Sequence, residues 1–121
     1  MKIKIEDHYH FIVYILAGGL DEHWAKKIKA RVVFEIGQIL AGGRGRCDVI
    51  MDMAGVAEVS PGAVAELGDL ERTLRKRGIG LALCKLPPPA GCALKKGKGF
   101  PEERLFPSVF AAKFDLRAEE E

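Results

Sequence analysis

Serine and threonine are scarce in this sequence, so few positions can accept a phosphoryl group. Ser60, Ser108 and Thr73 are the only three. Ser60 follows a predicted strand, precedes a predicted helix and stands directly before Pro61. Serine is a preferred helix N-cap and proline suits the first helical position, so capping alone accounts for this pair of residues.

The same position also suits a regulated protein contact. A helix N-terminus presents free backbone N–H groups and the positive end of the helix dipole. Gly62 removes bulk beside the hydroxyl, so the backbone of a partner can approach closely. A phosphate on Ser60 would be tolerated by the helix and would add roughly two negative charges to an interface. We therefore take the turn Val59-Ser60-Pro61-Gly62 as the candidate contact point, and Ser60 as a candidate phosphorylation site or simply a cap.

Signatures of catalysis and of nucleotide binding are absent from the sequence. There is no phosphate-binding loop, no nucleophile elbow and no paired-cysteine metal site. The glycine-rich run 42–46 follows a helix and enters a strand, which is the reverse of a phosphate cradle. His8 and His10 would share one face of a strand, but no further metal ligand is evident, and the lysines of 95–98 fit a solvated loop. We predict no enzyme activity, no metal and no cofactor, with a small-ligand or nucleotide binder as a minor alternative.

Composition predicts one ordinary globular domain over residues 1–121. Of these residues, 48% are hydrophobic and 30% are charged, and the net charge of +2 gives no reason to expect nucleic acid as a partner. Three cysteines without paired short spacings, Cys47, Cys84 and Cys92, indicate buried free thiols in a reducing compartment. No apolar stretch approaches the roughly 20 residues of a membrane span, so we expect no membrane insertion and a cytoplasmic location.

Hydrophobic periodicity predicts alternating strands and helices. Residues 1–6 alternate as a half-buried strand, and residues 11–16 form an apolar strand that Gly18-Gly19 should end. Apolar residues at helical spacing run from an Asp21 N-cap to Gly42-Gly43. A largely apolar strand at 49–53 follows and is predicted to be central in the sheet.

The second half of the chain continues this alternation. A second helix runs from the Ser60 turn to Gly78, and a strand follows at 81–84. Three successive prolines then break the chain, and 90–99 has room for one short helix. Val109-Phe110 is predicted as a short edge strand, and residues from 111 onward as a last helix that frays within 113–121. The alternation predicts an α/β domain with a mixed or parallel sheet.

Four segments of the chain resemble the STAS family, the fold of bacterial anti-sigma factor antagonists. Residues 16–21 are similar to the family's Leu-x-Gly-x-Leu-Asp, and residues 48–56 to its central strand ending in Asp-Leu-Ser-Gly-Val. Residues 80–86 resemble its following strand, and 104–107 its Leu-Phe-Pro. The segments span almost the whole chain in the family's order. The resemblance implies four or five strands, the first antiparallel and the rest mainly parallel, backed by about four helices.

The resemblance also implies a partner, namely a serine kinase that doubles as an anti-sigma factor, or a related regulator. The family signature is Asp-Ser-Ser/Thr-Gly, and its first serine is the phosphoacceptor. Ser60 matches that serine and Gly62 matches the glycine, whereas Val59 replaces the aspartate and Pro61 replaces the second hydroxyl residue. The candidate partner-binding residues are Gly18, Asp21, Asp52, Val59, Ser60, Pro61, Gly62 and Glu66.

Two binding functions remain open at this point. The first is a regulatory domain that docks a kinase through the Ser60 turn and is switched by phosphorylation. The second is a STAS accessory subunit, without a switch, of a membrane transport system or signalling assembly. The altered signature fits constitutive packing, because such packing needs no phosphoacceptor. A homodimer is compatible with both.

Overall fold

The computed structural model describes residues 1–97 and 99–118, and it forms one mixed sheet with helices on both faces. Five strands and four α-helices are present in this part of the chain, together with a short 3₁₀ turn at Glu102–Arg104. In chain order they are β1 (Lys2–Asp7), β2 (Phe11–Leu20), α1 (Glu22–Ala41), β3 (Asp48–Val59), α2 (Pro61–Lys76), β4 (Leu81–Cys84), α3 (Pro88–Gly97), β5 (Leu105–Phe106) and α4 (Val109–Ala118).

The strands lie in the sheet in the order in which they occur in the chain. β1 pairs antiparallel with β2, and the β2–β3, β3–β4 and β4–β5 pairs are all parallel. The predicted mixed α/β sheet with an antiparallel first strand is therefore confirmed, as are the four helices. β3 is the central strand, and the Ser60 turn follows its carboxyl end. The turn therefore lies at the middle of one edge of the sheet.

The two faces of the sheet are covered unequally. Alternate residues of each strand face opposite sides. Ile12, Val49 and Leu81 belong to a large core under α1, α2 and α3. The other face is smaller, and its buried members from α4 are Ala112 and Leu116. One face of the sheet is therefore covered by three helices. Among the described helices, the other face is covered by α4, which has ten residues.

The prediction that Gly18-Gly19 ends the second strand is wrong. β2 continues to Leu20, with register shifts against β3 on either side of Gly18. Gly18 has a φ of +116°, which permits this irregularity because glycine lacks a Cβ. β3 is also longer than predicted and ends at Val59. The last residues of the two strands, Leu20 and Val59, are paired.

The edge strand was predicted at the wrong residues. Val109-Phe110 begins α4, and β5 lies earlier, at Leu105–Phe106. The reason is local, because the Ser108 hydroxyl accepts a hydrogen bond from the Ala111 N–H at 3.1 Å and so caps a helix at that point. The predicted short helix exists as α3, which begins within the proline run, where a first turn tolerates proline. Of the segment 113–121 that was predicted to fray, residues 113–118 belong to α4, and 119–121 lie outside the described residues.

Candidate functional site

Ser60 joins the end of β3 to the start of α2. Its hydroxyl accepts a hydrogen bond from the Ala63 N–H at 3.1 Å, and its extended backbone is that of an N-cap. Pro61 occupies the first turn, where no backbone donor is needed. The Ser60 N–H donates to the Leu20 carbonyl at 3.0 Å, so the last residue of β2 fixes the turn. The hydroxyl is held in place, and the residue remains partly exposed.

The start of α1 lies next to the start of α2. Asp21 caps α1 by accepting a hydrogen bond from the Trp24 N–H at 2.9 Å. A Cβ added at Gly62 would lie 2.9 Å from the Cβ of Glu22, so the two helix starts touch there. The space beside the Ser60 hydroxyl at Gly62 is therefore filled by the chain's own α1. Glycine is required at this point by internal packing.

An open cleft of about 470 Å³ lies where β2 and β3 end. Ser60 and Pro61 line it on the α2 side, and Asp21 and Glu58 contribute carboxylates. α2 has no acidic residue in its first turn, so its N–H groups and the positive end of its dipole are not neutralised from within the helix. The cleft thus combines a hydroxyl, backbone donors and two carboxylates at one exposed edge.

Glu66 is part of an ion pair between the first two helices. Its Oε2 lies 2.5 Å from the Nζ of Lys29 on α1, and Asp69 contacts the same ammonium at 3.1 Å. The hydrogen bonds that the Lys29 ammonium donates to Glu66 and, with a smaller effect, to Asp69 raise the pKa of Lys29 above its usual value. Glu66 therefore holds α2 against α1. It lies further along α2 than the residues that line the cleft.

Asp52 lies far from Ser60. Ser60 is eight residue steps along the chain from Asp52, a distance of about 26 Å at the rise of a β-strand. Asp52 shares the sheet face of Ile50, under α4, and is nearly buried. Its carboxylate contacts the Lys85 Nζ at 3.2 Å and accepts a hydrogen bond from the Ala54 N–H at 3.1 Å. Of the eight candidate residues, four line the cleft, namely Asp21, Val59, Ser60 and Pro61. The other four do not: Asp52 and Glu66 lie elsewhere, Gly18 lies on β2 beside Met1, and Gly62 packs against Glu22.

A second depression, which was not predicted from the sequence, adjoins the cleft. It has a volume of about 520 Å³ and lies between Pro61 and α3, where Pro89, Ala93 and Lys96 line it. Val59 and Pro61 line both depressions, so they form one continuous surface. The signal in the sequence was weak, because the buried positions of α3 are only Ala90 and Leu94.

The cysteines and histidines outside the cleft are the remaining residues that could bind a metal ion. All three cysteines are free thiols, and Cys47 and Cys84 are buried as predicted. The prediction of a buried thiol is wrong for Cys92, which is exposed on α3. His8 contacts Glu6 at 3.1 Å and Lys113 at 2.5 Å. Within residues 1–97 and 99–118, no group of three or more His, Cys, Asp or Glu is placed to hold a metal ion. In the same part of the chain, no helix has the length and apolar character needed to cross a bilayer.

Comparisons with known proteins agree with this architecture. The family model described as STAS domain matches residues 2–112. Among solved structures, Moorella thermoacetica RsbS with a serine-to-glutamate substitution superposes with a TM-score of 0.78 at 13% identity, covering 99% of this chain and 98% of that one. The anti-sigma factor antagonist SpoIIAA in its unphosphorylated form gives 0.75 at 17% identity, covering 97% of each chain.

A membrane protein also contains this fold. The murine Solute Carrier 26 family member A9 anion transporter, in its inward-facing state, gives a TM-score of 0.74 at 19% identity. The match covers 90% of this chain but only 18% of the transporter. A search of curated protein sequences finds no match. At these identities the structural comparisons establish a shared fold.

Proposed function

The chain belongs to the STAS domain family, and we propose that it is a regulatory protein-binding domain of the anti-sigma factor antagonist type. Its partner is a serine kinase that doubles as an anti-sigma factor, or a related regulator. The partner docks on the cleft at the ends of β2 and β3. The proposal assigns no catalytic step and no cofactor to this chain.

One observation carries the proposal, namely that Ser60, a partly exposed residue, lines that cleft and caps α2 with its hydroxyl. The oxygen is held by a single backbone donor, the Ala63 N–H, at the N-terminus of a sixteen-residue helix. A kinase needs an accessible hydroxyl on a well-positioned turn, and this turn is fixed by both β2 and α2. The other serine, Ser108, caps α4 and does not line this cleft.

Phosphorylation of Ser60 would change the cleft electrostatically without unfolding it. The phosphate oxygens can accept from the same helix N–H groups, so the cap survives. The added charge, about −1.5 to −2, joins the carboxylates of Asp21 and Glu58 in one depression. A partner that presents carboxylates or apolar groups to the unmodified cleft is repelled by the modified one. Phosphorylation therefore acts as the release signal.

The test is phosphorylation of the purified chain, with ATP, by a purified serine kinase of the anti-sigma factor type. We expect one phosphate on Ser60, detected by intact mass and by fragmentation, and loss of the complex on modification. Ser60→Ala should gain no phosphate. Ser108→Ala is the matched control, since both hydroxyls accept one backbone hydrogen bond at 3.1 Å as helix caps. Each substitution should destabilise the fold similarly, by about 1 kcal/mol, while only one abolishes phosphorylation.

Two results would contradict the proposal. The first is phosphorylation of Ser108 or Thr73 in place of Ser60. The second is a kinase that is active on another substrate, yet neither modifies nor binds this chain.

A constitutive accessory subunit is the second candidate function. It is favoured by Pro61, which leaves the residue after Ser60 without a backbone donor or hydroxyl for a kinase to use. The likeness to part of an anion transporter shows that this fold also occurs within a membrane protein. For such a subunit, Ser60→Ala and Ser60→Asp would bind a transporter component as tightly as the unaltered chain. A tenfold or larger loss with Ser60→Asp alone would instead favour the switch.

A further inference from the structure

The outward side of α4 carries two exposed aromatic residues. Phe110 is 78% exposed and Phe114 is 72% exposed, and their i, i+4 spacing places them on one side of the helix. The opposite side of α4 packs on the sheet through Ala112 and Leu116. The two phenylalanines are therefore not needed to hold the helix in place.

These aromatic residues line a groove of about 340 Å³ with the start of β2. Phe11 lies in its wall, beside His8 and His10. The groove lies at the opposite end of β2 from the Ser60 cleft, about 30 Å away at the rise of a strand. It is a separate surface, and a partner bound there leaves the cleft open.

The charged residues of the groove are cationic. Lys113 and Arg117 line it, and among the residues that the structure describes no carboxylate does. Lys113 Nζ lies 5.7 Å from the centre of the Phe11 ring. The Arg117 guanidinium has no ion pair with any residue of 1–97 or 99–118. Asp115, the acidic residue of α4, turns away and contacts Arg104 at 3.5 Å.

We propose that this groove binds a peptide segment of a partner protein in which an aromatic or aliphatic side chain is flanked by carboxylates. The apolar side chain enters between Phe110 and Phe114, and the carboxylates pair with Lys113 and Arg117. Charge complementarity selects an acidic segment, and the concave shape between a helix and a strand suits an inserted side chain. A flat membrane surface would contact the outer rings but not Phe11. The inference is independent of the function proposed for the cleft.

The probe is a fluorescent synthetic peptide of three Glu-Glu-Leu-Phe repeats, titrated with the full chain and followed by anisotropy. A matched peptide with lysine at each glutamate position is the charge control. We expect the acidic peptide alone to bind. Arg117→Glu and Phe114→Ser should each weaken binding by about tenfold or more. Phe34→Ser is the matched control, because Phe34 is 66% exposed on α1 and should leave binding unchanged.

The design separates the possible failures. Phe114→Ser and Arg117→Glu alter exposed side chains, and circular dichroism verifies that each variant is folded. The proposal is overturned if the acidic peptide does not bind, if the lysine peptide binds equally, or if both groove variants bind normally. It is also overturned if the chain instead binds phosphatidylserine vesicles, or self-associates through Phe114, without binding the peptide. None of these outcomes would test phosphorylation at Ser60, which is measured separately.

Discussion

Replacing Gly68 by alanine tests how tightly the chain after α3 is held against α2. Gly68 lies buried within α2, and an added Cβ would stand 1.9 Å from the Gly99 carbonyl oxygen. Unstrained carbon–oxygen contacts are about 3.3 Å or longer, so the backbone at Gly99 must retreat by more than about 1 Å. No flexible side chain is available to move instead.

The magnitude follows from two opposing effects. Overpacking against backbone destabilises by about 3 kcal/mol, in the upper part of the usual range. Alanine is a better helix former than glycine, which offsets about 1 kcal/mol. The net expectation for Gly68→Ala is a loss of about 2 kcal/mol in the free energy of unfolding. With a urea dependence of about 2 kcal/mol per molar, the unfolding midpoint falls by about 1 M.

Gly37→Ala is the matched control for this substitution. Gly37 lies within α1, and its added Cβ would meet nothing within 4 Å. Only the helix propensity changes there, so the variant should be more stable by about 0.5–1 kcal/mol. The assay is urea unfolding of both variants, followed by circular dichroism. The reasoning is refuted if Gly68→Ala is as stable as the unaltered chain, or if both variants shift in the same direction.

Two further predictions concern titrating groups. The hydrogen bond from Arg44 lowers the pKa of Asp7 from 3.8 to about 2, so this carboxylate stabilises the fold above about pH 4 and loses that contribution as the pH falls towards 2. Asp7→Asn should therefore flatten the acid side of a stability-against-pH curve slightly, measured as urea midpoints, and an unchanged curve would contradict this. Burial raises the pKa of Cys47, and raises that of Cys84 to about 11, so only Cys92 should react rapidly with a chromogenic disulfide reagent in the folded chain. All three thiols should react in denaturant, and a second fast thiol before unfolding would count against the buried positions.

Features set by short-range chemistry were predictable from the sequence. The Asp21 and Ser60 caps lie where the sequence placed them, because each depends on one side chain and a backbone N–H three residues later. The alternating apolar residues of the strands likewise reported which face is buried. The family resemblance implied the number of strands and an antiparallel first strand, which periodicity alone does not encode.

Features that depend on distant partners were not predictable in the same way. Two glycines normally interrupt a strand, yet β2 passes through Gly18 because β3 supplies hydrogen-bonding partners as far as Leu20. Val109-Phe110 is β-prone by residue type, but the Ser108 cap commits the pair to a helix. Propensity was overridden by pairing in the first case and by capping in the second.

The candidate site shows the same division. Ser60 could be identified from its neighbours in the chain. The contact between Glu66 and Lys29 could not, because the two residues are 37 positions apart on different helices and leave no local pattern. The filling of the space at Gly62 by Glu22 is also a tertiary contact. The position of Asp52 on the far side of the sheet was readable from strand alternation, but only once the true length of β3 was known.

The unequal covering of the sheet has a consequence for synthesis of the chain. Phe11, Val13 and Ile50 form the face of the sheet that α4 covers, and among the described helices α4 alone contributes buried residues to it. These three residues are translated well before α4. Domains fold as they emerge, at about 5–20 residues per second. For seconds, the nascent chain exposes an apolar surface that α4 later seals. Until then, this surface is open to chaperones and to pairing with other nascent chains.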